Sequence, residues 1–325
     1  MSYLINSFPE RFEGISLNKE IDYIDDPTKI KIKGKKFQFK FINQFSSFIF
    51  ILNNFDKQSI KLCSTVEIFF LCHLARIIKR TKNKIIFRPG IDWFFIKEDF
   101  ENRFGVFSKV FEILLKLFLP KTIFIFQTEF IKESYKSLSS EIIGDVIINP
   151  IDLKKTLPRF VYKKNETLNF IFIGRMNTVK GIDRFIKLSK NNQSKNLINY
   201  HAYGEPKELY EKELNILFHG WQSKKDFKKE NQILILPSRT EGLPNIMYEA
   251  LEAGWKIIIS KEVYQLIRFD KKIINYVNVL DFEKMNFSQI DKILSNLGSK
   301  YEIDFSDRTI DIFFKKVDKL ATEYN

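Results

Sequence analysis

LPSRTEGLPNIMYEALEAG, residues 236–254, decides how this chain is read. An apolar run before it, Ile233–Leu236, has the length and composition of a buried strand and passes into a polar loop, Pro237–Gly242. An amphipathic helix is expected from Pro244, because proline suits a first helical turn, where no N–H is needed. A second apolar run, Trp255–Ile259, follows at once. The unit is strand–loop–helix–strand, and in open α/β sheets ligands bind where strands end and helices begin. A helix N-terminus presents unpaired N–H groups and a partial positive charge, which suits a phosphate. Gly242 lets backbone come close to a ligand. Glu241 precedes the helix, within reach of ligand hydroxyls, and Glu249 lies a turn or more inside it, with seven residues between the two. On spacing alone the two glutamates serve equally well as a helix cap and a solvated helix residue.

SRTEGLPNIMYEALEAG resembles the Glu-x7-Glu motif of family 4 retaining glycosyltransferases, whose usual form is SxxEGxPNxxxEAxAxG. A second stretch, FIFIGRMNTVKG at residues 170–181, resembles the same family's strand-Gly-Arg-x4-Lys-Gly turn. The resemblance runs from about Thr122 to Gly254 and is weak over the first fifty residues. It implies an α/β protein of GT-B fold, with two Rossmann-like doubly wound domains facing a central cleft. The expected organisation is an acceptor-binding domain over 1–152, a nucleotide-sugar-binding domain over 153–310, and a helix over 311–325 returning to the first domain.

The resemblance also assigns roles. Glu249 would hold the ribose hydroxyls and Glu241 the donor sugar. Backbone N–H groups at Gly242, Leu243 and Asn245, in the stretch that also holds Pro244, would meet the sugar or phosphate. Arg175 and Lys180, on the turn that Gly174 opens, would neutralise the pyrophosphate; arginine offers a bidentate fork for it. The loop Gly220–Gln222 would lie along the nucleobase, where Trp221 either stacks on the base or is an ordinary surface aromatic. Two departures from the family pattern stand out. The first loop, Glu10–Gly14, has one glycine where the family's is Gly-rich, and Arg88-Pro89-Gly90 stands where a His-Gly is usual. Arg88 either holds an anionic acceptor or phosphate or pairs with a nearby acid. Asn53 and Asn54, after an expected strand at Ser47–Leu52, either touch acceptor or sugar hydroxyls or form a turn.

Composition bounds the alternatives. At 325 residues with 44% hydrophobic and 29% charged side chains, the chain reads as a globular protein of two domains. Its 34 phenylalanines, with abundant Ile, Lys and Asn, point to an AT-rich coding bias rather than to function residue by residue. The net charge of +13 admits nucleic acid, an anionic membrane surface or anionic substrates as partners. The lysines are spread along the chain and no nucleic-acid-binding motif appears, which favours a membrane surface and a nucleotide sugar. Met1–Phe8 has no secretory-signal pattern, and the most apolar windows, Ile68–Ile78 and Val106–Pro120, are too short or interrupted to span a bilayer. Cys63 and Cys72, placed in one expected helix at Ser59–Lys79, do not form a disulfide framework, so a reducing compartment is expected.

Several segments carry sharper expectations. Lys31–Phe41 alternates charged and apolar residues as a half-buried strand does. His73, inside the expected helix, reads as packing rather than catalysis. Val106–Leu119 is an amphipathic helix that either faces the core or lies in a membrane interface. Thr128 is placed to cap the next helix. Asp25-Asp26 reads as a solvated turn, and no DxD metal signature stands in a credible context.

The expected function is transfer of a hexose-type sugar from a nucleotide-diphosphate sugar, UDP-linked by class, to a glycan or lipid-linked acceptor in envelope polysaccharide synthesis. The reaction would need no metal and no cofactor and would retain configuration, on the cytoplasmic side and peripheral to the membrane. The competing expectation is a GT-B-like protein that binds a nucleotide or a partner without turnover.

Overall fold

The computed structural model describes residues 2–5, 21–23, 30–32, 35–37, 51–52, 59–63, 66–82, 85–105, 107–151, 157–163, 166–191, 197–205, 215–223, 226–227, 230–284, 287–295 and 301–324. Asn53, Gly14 and Asp25-Asp26 lie outside the described residues. The chain forms two compact units, Met1–Ile148 with Phe313–Asn325, and Asn149–Ile312.

In the first unit the elements are β1 (Ser2–Ile5), β2 (Ile21–Tyr23), β3 (Ile30–Ile32), β4 (Lys35–Phe37), β5 (Ser59–Cys63), α1 (Val66–Ile78), β6 (Ile85–Phe87), α2 (Trp93–Phe104), α3 (Phe107–Phe118), β7 (Thr122–Phe126), α4 (Glu129–Lys136) and β8 (Ile143–Val146). Six strands form a parallel sheet in the order β2-β1-β5-β6-β7-β8. The order reverses at β1, as in a doubly wound sheet. Burial of all five residues of β7 and all three of β6 matches a parallel sheet covered on both faces. Thr128 caps α4 as expected, its side chain accepting from the Ile131 N–H at 3.2 Å.

Three sequence expectations fail here. Ile51 and Leu52 are helical rather than the end of a strand, and the strand of this region is β5, within the segment read as a long helix. A short continuous apolar run such as SFIFIL does not separate helix from strand by periodicity, whereas SIKLC alternates. Cys63 therefore ends a strand and Cys72 lies in α1, with their buried sulfurs 3.4 Å apart as thiols rather than a disulfide. Lys31–Phe41 is not one strand either; β3 and β4 pair antiparallel with each other.

His73 is fully buried, stacked on Phe118 at 4.3 Å with the ring of Phe69 edge-on. Thr122 gives its one hydroxyl proton to the Phe118 carbonyl at 2.8 Å, so the 3.0 Å contact to His73 Nε2 is donated by the imidazole. His73 Nδ1 is left buried without a partner. Burial first, and the Arg76 charge second, lower the His73 pKa from 6.5 to about 3. Below pH 6.5 an unfolded chain takes up a proton that the folded chain refuses, so stability falls with pH until about pH 3. The slope approaches ~1.4 kcal/mol per pH unit. His73→Phe keeps the stack and leaves Thr122 bonded to Phe118. Urea unfolding at pH 6.5 and pH 5 is expected to show the parent losing about 2 kcal/mol more than this variant. Equal losses would place the acid sensitivity elsewhere.

In the second unit come β9 (Leu168–Ile173), α5 (Ile182–Lys190), β10 (Ile198–Tyr203), β11 (Leu217–Phe218), β12 (Gln232–Leu236), α6 (Asn245–Glu252), β13 (Lys256–Ser260), α7 (Lys261–Ile267), β14 (Asn278–Leu280) and α8 (Phe287–Leu294). They build a six-stranded parallel sheet in the order β11-β10-β9-β12-β13-β14. A core of Phe170, Phe172, Phe185, Ile233 and Ile258 packs along it. The last helix, α9 (Ile310–Tyr324), begins in the second unit, and its residues from Phe313 onward belong to the first.

Candidate active site

The order β11-β10-β9-β12-β13-β14 places β9 in the middle of the second sheet, with the chain winding outward in one direction through β10 and in the other through β12. Loops leaving β9 and β12 therefore diverge, and the crevice beyond their carboxyl ends is where such sheets bind ligands. The two stretches singled out by the sequence are these two loops: residues 174–181 follow β9, and residues 237–244 follow β12.

The loops are fastened to each other. Gly174 leaves the sheet with its N–H bonded to Tyr203 O at 2.9 Å. The Asn177 side chain closes the next turn by accepting from the Lys180 N–H at 2.9 Å. Gly181 adopts φ +77, and a Cβ there would run into the Pro237 carbonyl, so only glycine allows this close approach. Arg184, in the first turns of α5, donates to the same Pro237 carbonyl at 3.0 Å and also to Glu262 and Glu283. Burial acts to lower the Arg184 pKa, but these hydrogen bonds outweigh it and raise the value. The Arg239 N–H bonds to Val179 O at 2.9 Å, and the Arg239 guanidinium grips Asp183 with contacts of 2.8 and 2.7 Å. That hydrogen bonding holds the Asp183 carboxyl below its ordinary range.

Lys180 and Glu241 meet across this seam. Lys180 Nζ lies 2.5 Å from Glu241 Oε2, and Ser238 Oγ donates to Glu241 Oε1 at 2.8 Å. The Glu241 side chain is 9% exposed and that of Lys180 24%, so the pair is largely shielded yet reachable. Ser238 is held in turn by its backbone carbonyl, which accepts from Ser260 Oγ at 2.7 Å. The cation and the carboxylate that the sequence assigns to neighbouring parts of a ligand thus neutralise one another across the loops.

The remaining predicted residues divide into those around this pair and those outside it. Gly242, Leu243 and Pro244 continue the loop from Glu241, and Pro244 takes the cap position of α6 without a side-chain cap bond. Asn245, first in the helix, accepts from Asn149 Nδ2 at 2.8 Å. Glu249 is half-buried one turn further on. Arg175 is exposed on the turn after Gly174. Trp221 is 59% exposed on the loop after β11, which is tied to β10 by Gly204 N–H to Gly220 O at 2.9 Å. Arg88 belongs to the first unit, just after β6, where it is buried with its guanidinium 5.7 Å from the ring centre of Phe313.

Sequence reasoning missed Ser238, Asn177 and the Arg239–Asp183 clamp. Ser238 stands three residues before Glu241 and Asn177 three before Lys180, a spacing typical of polar turn bonds. It also missed a stack of His201, Tyr203 and His219. Tyr203 and His219 lie 4.4 Å apart with an interplanar angle of 11°, and His201 Nδ1 is 2.9 Å from His219 Nε2. Among the described residues no group of three or more His, Cys, Asp or Glu side chains is placed to hold a metal ion. No described helix is long and apolar enough to cross a membrane.

Residues 154–284 match the family described as glycosyl transferases group 1. No match is found among curated proteins. Solved structures resemble the whole chain. The lipopolysaccharide outer core galactosyltransferase WaaB is 14% identical, with a TM-score of 0.62 over 100% of this chain and 99% of that one. Sucrose-phosphate synthase from Thermosynechococcus elongatus is 12% identical, with a TM-score of 0.62 over 94% and 89%. Anabaena Alr3699/HepE, solved with UDP and glucose, is 11% identical, with a TM-score of 0.61 over 98% and 91%. At these identities the likeness is one of fold, and the fold is α/β of the GT-B glycosyltransferase type.

Proposed function

We propose that the chain is a retaining hexosyltransferase of family 4 type, using a nucleotide-diphosphate sugar as donor and a glycan or lipid-linked acceptor of envelope polysaccharide synthesis. The observation that carries this reading is the junction of Lys180 and Glu241 at the point where the second sheet changes winding direction. In the reaction the bond between the sugar's anomeric carbon and the diphosphate oxygen breaks, the acceptor oxygen bonds to that carbon, and the acceptor's hydroxyl proton passes to the departing diphosphate. The leaving diphosphate gains negative charge, and groups fixed in advance stabilise such charge best. Lys180, Arg175 and the N-terminal end of α6 supply the opposing positive charge without a metal. Glu241 faces the sugar hydroxyls, Glu249 the ribose, and exposed Trp221 offers its ring to the base. The second unit thus binds the donor over 153–310, leaving the first, with Arg88, for the acceptor. The solved relative that holds UDP and glucose supports UDP as the first nucleotide to examine. The lipopolysaccharide outer core galactosyltransferase among the similar structures supports an envelope role, and the location that goes with it in this reading is the inner face of the cytoplasmic membrane.

Thermal unfolding with UDP, GDP, ADP, CMP and dTDP tests the donor site. A nucleotide at ~100 times its Kd is expected to stabilise the fold by about 2.7 kcal/mol. One clear winner, UDP by expectation, identifies the donor class. No shift with any of the five would overturn the donor-site reading.

A further inference from the structure

We propose that the face formed by α1 and α3 of the first unit docks on an anionic lipid bilayer. This deepens the reading above by giving the peripheral location a surface, and it rests on that reading only for its biological purpose. Helix α3 buries Leu115, while Val110, Ile113, Leu114 and Leu117 of the same helix are each at least 40% exposed. Their spacing puts them along one stripe. The stripe is therefore not the core face that an amphipathic pattern ordinarily implies. Helix α1 adds Leu74, Ile77 and Ile78, also at least 40% exposed. The two helices meet at Phe118, whose ring lies 4.3 Å from His73 and 5.7 Å from Phe70, a turn or less from both sets. Exposed aliphatic groups gathered this way mark an interaction surface.

Charge selects the occupant. Over residues 74–82 and 107–121 there are seven cations, Arg76, Lys79, Arg80, Lys82, Lys109, Lys116 and Lys121, against one carboxylate, Glu112. Glu112 is bonded to Lys116 at 2.8 Å. An apolar stripe with basic side chains around it is the pattern of a helix lying in the interfacial plane of an anionic membrane. A second copy of this chain would bring seven more cations to the same place, which opposes self-association through this face. Arg80 adds a further sign. It lies two residues past α1 at φ +51, with the Thr81 N–H closing on Arg76 O at 3.2 Å, a position where glycine is usual and a side chain is strained.

The full chain is centrifuged with vesicles of phosphatidylcholine alone and of phosphatidylcholine mixed with phosphatidylglycerol. Binding to the mixed vesicles, weakened by salt, with little binding to the neutral ones, is expected. The double variant Ile113→Glu, Leu117→Glu replaces exposed groups, so folding is retained, and partition is expected to fall at least about tenfold. Arg80→Gly removes one cation while relieving the left-handed strain. It is expected to melt no lower than the parent and to bind about fivefold more weakly. Both variants keep whatever nucleotide-induced shift the parent shows, so failure of the docking surface is distinguishable from failure of the donor site. Equal binding to neutral and anionic vesicles, or unchanged partition of the double variant, would overturn the proposal. So would a dimer that the double variant breaks without any vesicle binding by the parent.

Discussion

Glu241→Gln is expected to lower sugar transfer by roughly 100- to 1000-fold while leaving nucleotide affinity within about threefold of the parent. Glutamine has the size of glutamate and still accepts from Ser238 Oγ, so the loop between Ser238 and α6 keeps its shape. What disappears is the charge that faces Lys180 at 2.5 Å. In the structure the two neutralise one another. On the proposed function, a bound diphosphate would draw part of the Lys180 charge and leave the carboxylate to take the hydroxyls of the sugar. Removing that carboxylate would then spare the diphosphate contact and cost the interactions that orient the sugar. Rates of nucleoside diphosphate release with and without acceptor, set beside nucleotide titrations, separate the two effects. Transfer within threefold of the parent would exclude Glu241 from the reacting centre. Parallel loss of transfer and nucleotide binding would assign it a structural role.

Gly181→Ala is expected to have the largest effect on stability, on the order of 3 kcal/mol. Two causes add: a left-handed backbone at φ +77, and a methyl group driven into the Pro237 carbonyl. The carbonyl cannot simply retreat, because Arg184 holds it from the side at 3.0 Å. A loss of this size lowers Tm by roughly 10 °C in a domain of this length. Displacement would reach function too, since Lys180 precedes Gly181 and Pro237 heads the loop that carries Glu241. Gly90→Ala is the control, because a Cβ at Gly90 meets nothing within 4 Å. Calorimetry on both variants decides the matter; equal melting temperatures would mean that the two loops are not locked at Gly181.

The second unit was legible because its central strands β9, β12 and β13 are apolar runs with glycine or proline at an end, and its loops carry residues with narrow backbone requirements. The first unit was less so. Residues 47–79 hold two apolar runs whose helical and extended readings differ by little, and pairing with β1 and β6 decides between them. Single residues followed the same division. The position of Glu241 was readable, but its pairing with Lys180 joins residues 61 apart in sequence and arises from the crossover between adjacent strands. Likewise the amphipathic pattern of Val106–Leu119 announced a helix without saying which stripe is covered. Burial of Leu115 beside exposed Leu114 and Leu117 is a tertiary fact.

Helix α9 has a consequence for biosynthesis. Phe313, Phe314, Val317, Leu320 and Ala321 are buried and belong to the unit that contains Met1–Ile148. Met1–Ile148 is translated before Asn149–Ile312, yet Phe313–Asn325, which belongs to the same unit, is translated only after it. The second unit has every strand of its sheet as soon as its own residues are out, and it can close while the earlier-made half waits for its missing piece. The half made first is therefore the half finished last, and until then the apolar surface that α9 covers is the part of the nascent protein most in need of a chaperone.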